Sequence, residues 1–203
     1  MRFWPVGEFE GGIYMDALIT CLQWLVAIVI VLCLLVRAYL CHAGKEIVVP
    51  LVESRSPLAV DELTDTAMTI STEIGFENRG KQCATIMDAL VRPQLPYEQY
   101  DGIETRGHAE LVGAPREDDY FEAYIIQRQG YKDGLDRAAI KCQVKLIARH
   151  GMSIKEAISH MPDFNFQLIW LETGRVPCHY RQVRIEVPAA EVAALAGVEL
   201  VEG

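Results

Sequence analysis

Leu135-Asp-Arg-Ala-Ala-Ile-Lys-Cys-Gln-Val-Lys-Leu-Ile-Ala-Arg-His150 is the stretch on which the fold of this chain turns. Leu135, Ala139, Cys142, Leu146 and Ile147 gather on one side of a helical wheel. Arg137, Lys141, Lys145 and Arg149 recur every four residues and form a slanted stripe on the other side. Gly151 follows as a stop. The spacing predicts an amphipathic helix with a broad buried face and an exposed basic ridge. Such a ridge suits an acidic partner surface or anionic lipid headgroups. The plainer alternative is a solvated face partly paired with acids such as Asp61, Glu62 and Asp65.

Upstream, Leu63, Ala67, Ile70 and Ile74 repeat at helical offsets before Gly75, and Cys83, Ile86, Met87 and Leu90 do so before Pro93. The two predict a helical hairpin. Pro93, Pro96, Gly102, Gly107, Gly113 and Pro115 mark a loop, with a strand expected at Ala109–Val112. Glu117, Asp118 and Asp119 open a further helix through Tyr120, Phe121, Tyr124 and Ile125. Acids in a first turn complement the helix dipole, which accounts for this cluster, Glu122 included, better than a metal ion does.

Downstream, Ser153 and Glu156 form a capping box for a short helix that Pro162 ends. Phe164, Phe166, Leu168 and Trp170 alternate as a strand, and so do Val183, Ile185 and Val187. Thr173-Gly174 joins the two as an antiparallel hairpin. Pro188 begins an Ala-rich helix stopped by Gly197. The expected fold class is α+β: one N-terminal transmembrane helix, then a soluble domain of several helices packed on a small antiparallel sheet.

The transmembrane helix is read from Ala17 to Val36, a run without one charged residue between Asp16 and Arg37. Such a run spans ~30 Å as a helix, the thickness of a bilayer's hydrocarbon core. Tyr14 and Tyr39 bracket it as interfacial anchors. A buried core helix would be shorter and carry polar positions. A signal peptide would have a basic leader, whereas Glu8, Glu10 and Asp16 here outnumber Arg2. Met15 is an alternative start that keeps the span. The expected organisation is a short leader at 1–15, the span at 16–40, a linker at 41–57 and a cytoplasmic α+β domain at 58–203. Arg37, Lys45 and Arg55 after the span favour a cytoplasmic domain. Cys83, Cys142 and Cys178, an odd set at wide spacings, read as free thiols in a reducing compartment.

Within the span, Asp16, Thr20, Gln23 and Ala27 share one helical face. Small and polar side chains are what membrane helices use to associate. The expected partners are therefore the lipid bilayer and either other membrane subunits or a second copy.

The chain has a formal net charge of −9. Only Arg2 of its 19 Lys and Arg precedes residue 37, and only Glu8, Glu10 and Asp16 of its 28 Asp and Glu, leaving 18 against 25 in the domain. This balance argues against a nucleic-acid surface. Gly151–Ser159 resembles the turn and second helix of helix-turn-helix DNA-binding proteins. That resemblance implies a membrane-bound DNA-binding regulator, although Ile147 stands where the family has Ala and the capping box accounts for the same residues. His42, His108, His150, His160 and His179 lack zinc-site spacing, and no P-loop, dinucleotide fingerprint or nucleophile elbow is present. No cofactor is expected. An enzymatic alternative would assemble a site from Cys142, His150, Asp118 and Asp119. The favoured reading is a single-pass membrane protein that binds other proteins, as a non-catalytic subunit of a membrane assembly or a tethered adaptor.

Overall fold

The computed structural model describes residues 10–114, 121 and 123–201, with side chains from residue 15 onward. It divides into two compact units, Met1–Gly44 and Lys45–Gly203. The first holds α1 (Glu10–Ala43). Its segment Met15–Ala43 has a mean hydropathy of 2.8 over its most apolar window, and none of that window is buried. The helix is long and apolar enough to cross a membrane. The Tyr14 ring and the leader charges Arg2, Glu8 and Glu10 lie outside the described side chains.

The second unit is a β-sandwich, which overturns the expectation of helices packed on a small sheet. Nine strands are described: β1 (Val48–Leu51), β2 (Ala59–Leu63), β3 (Ala67–Asn78), β4 (Ala84–Gln94), β5 (Ile103–Leu111), β6 (Tyr124–Ile126), β7 (Arg137–Ala148), β8 (Phe164–Thr173) and β9 (His179–Val187). The first sheet has the order β1-β3-β7-β5, with β2 also paired to β3. The second has the order β6-β4-β8-β9. Every pairing is antiparallel. The only other described α-helices are short, α2 (Ile154–Ser159) and α3 (Ala189–Ala196).

Leu135–His150 is thus a strand. Ile140, Cys142, Val144 and Leu146 are buried, while Lys141, Gln143 and Lys145 between them face outward. A spacing of four is even, so it keeps residues on one face of a strand as well as on one stripe of a helix. In β3 only Ile70 and Ile74 share this ambiguity: they point inward with Met68 and Phe76, whereas Ala67 has the opposite parity and Leu63 belongs to β2. β4 was hidden by a bulge. Its register against β8 shifts between Met87 and Leu90, with Asp88 at a φ of 48°. Buried positions therefore run Ala84, Ile86, then Ala89, Val91, and the step of three mimics a helix. Pro93 does not end this element, because β6 covers only Ala84–Ile86 and, among the described residues, that part of β4 has no second neighbour in its sheet.

The predicted strand at Ala109–Val112 belongs to the longer β5. Tyr124 and Ile125 lie in β6 rather than a helix, and residues 115–120 and 122 lie outside the described ones. The β8–β9 hairpin forms as expected. So does α2, where the Ser153 hydroxyl accepts the Glu156 N–H at 3.2 Å. α3 follows Pro188 and ends at Gly197, whose φ of 69° suits a left-handed cap. A strand precedes α2, so the helix-turn-helix resemblance has no first helix.

The inner faces of the two sheets meet in one core. Phe76 and Trp170, both fully buried, touch across it. Asn78 closes one end: its side-chain carbonyl accepts Ile47 N–H at 3.2 Å and Gly80 N–H at 2.9 Å, and its amide donates to Gln82 O at 2.8 Å. Glu46, nearly inaccessible, accepts the N–H groups of Arg175 at 3.1 Å and Val176 at 2.7 Å. Lys45 to Leu51 is thereby tied into the folded unit. α2 and α3 pack together, burying Ile154, Ala157, Ile158, Val192, Ala193 and Ala196.

Candidate functional site

A polar constellation lies on the outer face of the first sheet. A bulge between Val60 and Glu62 releases Asp61 from the β2–β3 ladder and re-aims its side chain. The Asp61 carboxylate accepts from Ser71 Oγ, Gln143 Nε2 and Lys141 Nζ, each at 2.8 Å. Burial acts to raise its pKa, but the bonds from Lys141, Gln143 and Ser71 outweigh burial and hold the carboxyl below its ordinary value.

Arg137, Lys141 and Lys145 extend from β7 on this same face, and Arg149 follows just past its end. Arg137 lies 3.3 Å from Glu77, which also holds Arg79 at 2.9 Å. Lys145 lies 3.8 Å from Glu62, and Arg149 lies 3.9 Å from Glu104, which also holds Arg106 at 2.9 Å. Each base of the row therefore stands beside a carboxylate, and the row is a mosaic of both signs. Exposed pairs of this kind contribute about 0–1 kcal/mol each, so the arrangement shapes a surface more than it stabilises a fold.

A cavity of about 580 Å³ opens on this face. Asp61, Glu62, Thr69, Gln143, Lys145, Arg106 and His108 supply its polar wall, and Ala89 and Leu90 of the β4 bulge its apolar one. Gly107 brings the two walls together, since a Cβ there would lie 2.0 Å from the Val91 carbonyl oxygen. Sequence reasoning missed Arg106, His108, Thr69 and Gln143 as members of this site. The available signal was Glu104, Arg106, His108 and Glu110 at every second position.

Of the residues of the enzymatic alternative, Cys142 and His150 do not converge. Cys142 is buried, and burial pushes its thiol up to about 12. His150 lies eight positions on, ~26 Å along an extended chain, and faces Asp101 at 3.2 Å. Asp118 and Asp119 are outside the described residues. His179 Nδ1 sits 3.0 Å from the Pro177 carbonyl. Among the described residues, no three His, Cys, Asp or Glu side chains are grouped as a metal would need.

On α1, the predicted packing residues Asp16, Thr20, Gln23 and Ala27 are exposed. The Thr20 hydroxyl donates to the Asp16 carbonyl at 2.8 Å, which leaves its lone pairs for a neighbour.

No protein-family model and no curated protein matches the chain. Solved structures with some similarity include the GAE domain of yeast GGA1 (TM-score 0.27, 8% identity, covering 64% of this chain and 98% of that one). Another is the GAE domain of GGA2p from Saccharomyces cerevisiae (TM-score 0.25, 6% identity, covering 66% of this chain and 98% of that one).

Proposed function

We propose that the chain is a single-pass membrane protein whose β-sandwich binds other proteins, as a non-catalytic subunit of a membrane assembly or a tethered adaptor. The observation that carries this reading is α1: Leu18, Leu22, Leu25, Ile28, Leu32 and Leu35 are all exposed, on a helix with no buried window. Water is a poor solvent for such a surface and lipid a good one. Arg37, Lys45 and Arg55, with the unpaired Cys83, Cys142 and Cys178, support a cytoplasmic sandwich.

Tethering confines the sandwich to two dimensions, so weak contacts gain effective concentration. Asp16, Thr20, Gln23 and Ala27 are the face offered to a partner helix or a second copy. Arg137, Lys141, Lys145 and Arg149, with their carboxylates, offer a partner a patterned surface rather than a uniformly positive one. The test is purification of the full chain from its own membrane in mild detergent. A stoichiometric co-purifying protein or a defined homo-oligomer is expected. A lone monomer would overturn the reading.

A further inference from the structure

The two ends of the sandwich differ in charge. The antiparallel ladders bring the connections 79–83, 127–136 and 174–178 to the end at which the chain enters. They bring the connections 64–66, 95–102 and 149–163 to the other end. With the entering residues 45–47, the first end holds Lys45, Arg79, Lys81, Arg128, Lys132 and Arg175 against Glu46, Asp133 and Asp136. The other end holds Arg149 and Lys155 against Asp65, Glu98, Asp101, Glu156 and Asp163. The chain is acidic overall, so the basic end runs against its composition. These are described residues; Arg116, Glu117, Asp118, Asp119 and Glu122, between β5 and β6, lie outside them.

Hydrogen bonds fix the basic end around the entering chain. Lys81 N–H donates to the Lys45 carbonyl at 3.0 Å, and Arg79 N–H to the Ile47 carbonyl at 2.8 Å. Gln129 N–H donates to the Gly80 carbonyl at 3.0 Å, which attaches the 127–136 connection. The Glu46 carboxylate attaches the third connection, through the Arg175 and Val176 N–H groups. A Cβ at Gly80 would lie 2.5 Å from the Lys45 carbonyl oxygen, so the 79–83 connection lies directly on the entering strand.

Most acids of this end are engaged internally. Glu46 is buried, and Asp136 accepts Gly130 N–H at 3.0 Å. Arg79 stands beside Glu77. Lys45, Lys81, Arg128 and Lys132 are exposed and make no ion pair among the described residues. The β7 row differs, because each of its bases stands beside a carboxylate. Ile47, Tyr131 and Leu135 are exposed apolar or aromatic side chains at the same end. Aromatic rings and bases together are what membrane interfaces favour.

The tether decides what these bases meet. Eight residues lead from Arg37, which closes the charge-free run, to Lys45. α1 keeps them helical as far as Ala43, a rise of ~12 Å. The headgroup layer takes up the first ~5–8 Å of that rise, and charges act over a Debye length of ~8 Å beyond it. A chain anchored by α1 therefore keeps Lys45, and the connections bonded to it, close to headgroups. Cytoplasmic leaflets are anionic, and each base near one gains about fivefold in affinity.

We infer that the basic end of the sandwich docks on the anionic lipid headgroups of the bilayer that α1 spans, through Lys45, Lys81, Arg128 and Lys132. The acidic end is repelled by the same surface, so the sandwich stands in one orientation and leaves its far connections to the aqueous side. This rests on the single-pass reading above and adds a lipid-binding surface to it.

The test uses the full chain in nanodiscs of phosphatidylcholine alone, or of phosphatidylcholine and phosphatidylserine in equal parts. Amide hydrogen exchange is the readout. In the anionic discs, exchange across 79–83, 127–136 and 174–178 should slow by at least about threefold, with 64–66, 95–102 and 149–163 unchanged. Salt at about 1 M, where the Debye length falls to ~3 Å, should remove the difference. The combined variant Lys81→Glu, Arg128→Glu, Lys132→Glu should remove it at low salt. If that variant misfolds, the lipid comparison and the salt series on the parent chain decide. Equal exchange in both discs, protection at the acidic end, or protection that survives salt overturns the inference and leaves the membrane reading standing. A folded chain that enters neither disc overturns both.

Discussion

Phe76 and Trp170 meet edge to face, with ring centroids 5.1 Å apart and planes at 87°. Phe76 belongs to the first sheet and Trp170 to the second, so this contact joins the two layers. Trp170→Ala should cost about 3–5 kcal/mol, because it removes the ring and leaves a cavity between the sheets. Chemical denaturation of the full chain, followed by a far-ultraviolet signal of the sheets, measures it. A loss below 1 kcal/mol would mean that the sheets are not held at this point.

Gly107 faces the Val91 carbonyl oxygen at 2.0 Å and Pro93 Cδ at 2.9 Å, measured from an added Cβ. Gly107→Ala should therefore destabilise by about 1–3 kcal/mol, by forcing β5 away from β4. The same change should open the 580 Å³ cavity, whose two walls meet there. Unfolding midpoints of the two proteins give the first result, and exchange rates of the Leu90 and His108 amides the second.

The Asp61 and Glu46 carboxyls titrate below their ordinary values. For both, burial opposes ionisation and donated hydrogen bonds outweigh it, from Lys141, Gln143 and Ser71 to Asp61 and from backbone N–H groups to Glu46, with the His179 charge adding to the latter. A depressed folded pKa stabilises above the unfolded value of about 4 and is lost as pH falls below it toward the folded value. Thermal stability should therefore fall on acidification below about pH 4, and Asp61→Asn and Glu46→Gln should each flatten that fall. At neutral pH each should cost about 1–3 kcal/mol. Melting curves from pH 3 to 7 on the three proteins, at ~1 pH steps, measure both. A flat profile in the parent protein would contradict the assignment.

Cys142 lies in the core with its thiol pushed up to about 12, whereas Cys83 and Cys178 are exposed. Native labelling with a thiol reagent should modify Cys83 and Cys178 and spare Cys142 until the sandwich unfolds. Peptide mapping after a short pulse reads this directly. Rapid modification of Cys142 would mean that the β7 core is open.

The parts of the fold legible in sequence were those where one periodicity fits alone. Phe164 to Trp170 alternate without interruption and form β8, and Ser153 with Glu156 could only cap a helix. Arg137, Lys141, Lys145 and Arg149 were legible as a face but not as an element. Their spacing satisfies a helical stripe and a strand face equally, and choosing the helix turned a sandwich into helices packed on a small sheet. The acids beside them belong to β2, β3 and β5, and a ladder between distant strands leaves no local trace. Register decides that Lys141 finds Asp61, and the β2 bulge that aims Asp61 has no marker at Val60 or Glu62. The open edge of β9 is likewise a property of strand order. Nothing within His179–Val187 says that, among the described residues, no strand follows on that side.

Membrane anchoring through Met15–Ala43 is the claim on which the proposed function rests, and alkaline carbonate extraction followed by flotation tests it most directly. The full chain, expressed in cells, should stay with the bilayer after carbonate treatment and float with lipid. Recovery of the intact chain in the carbonate supernatant would contradict it.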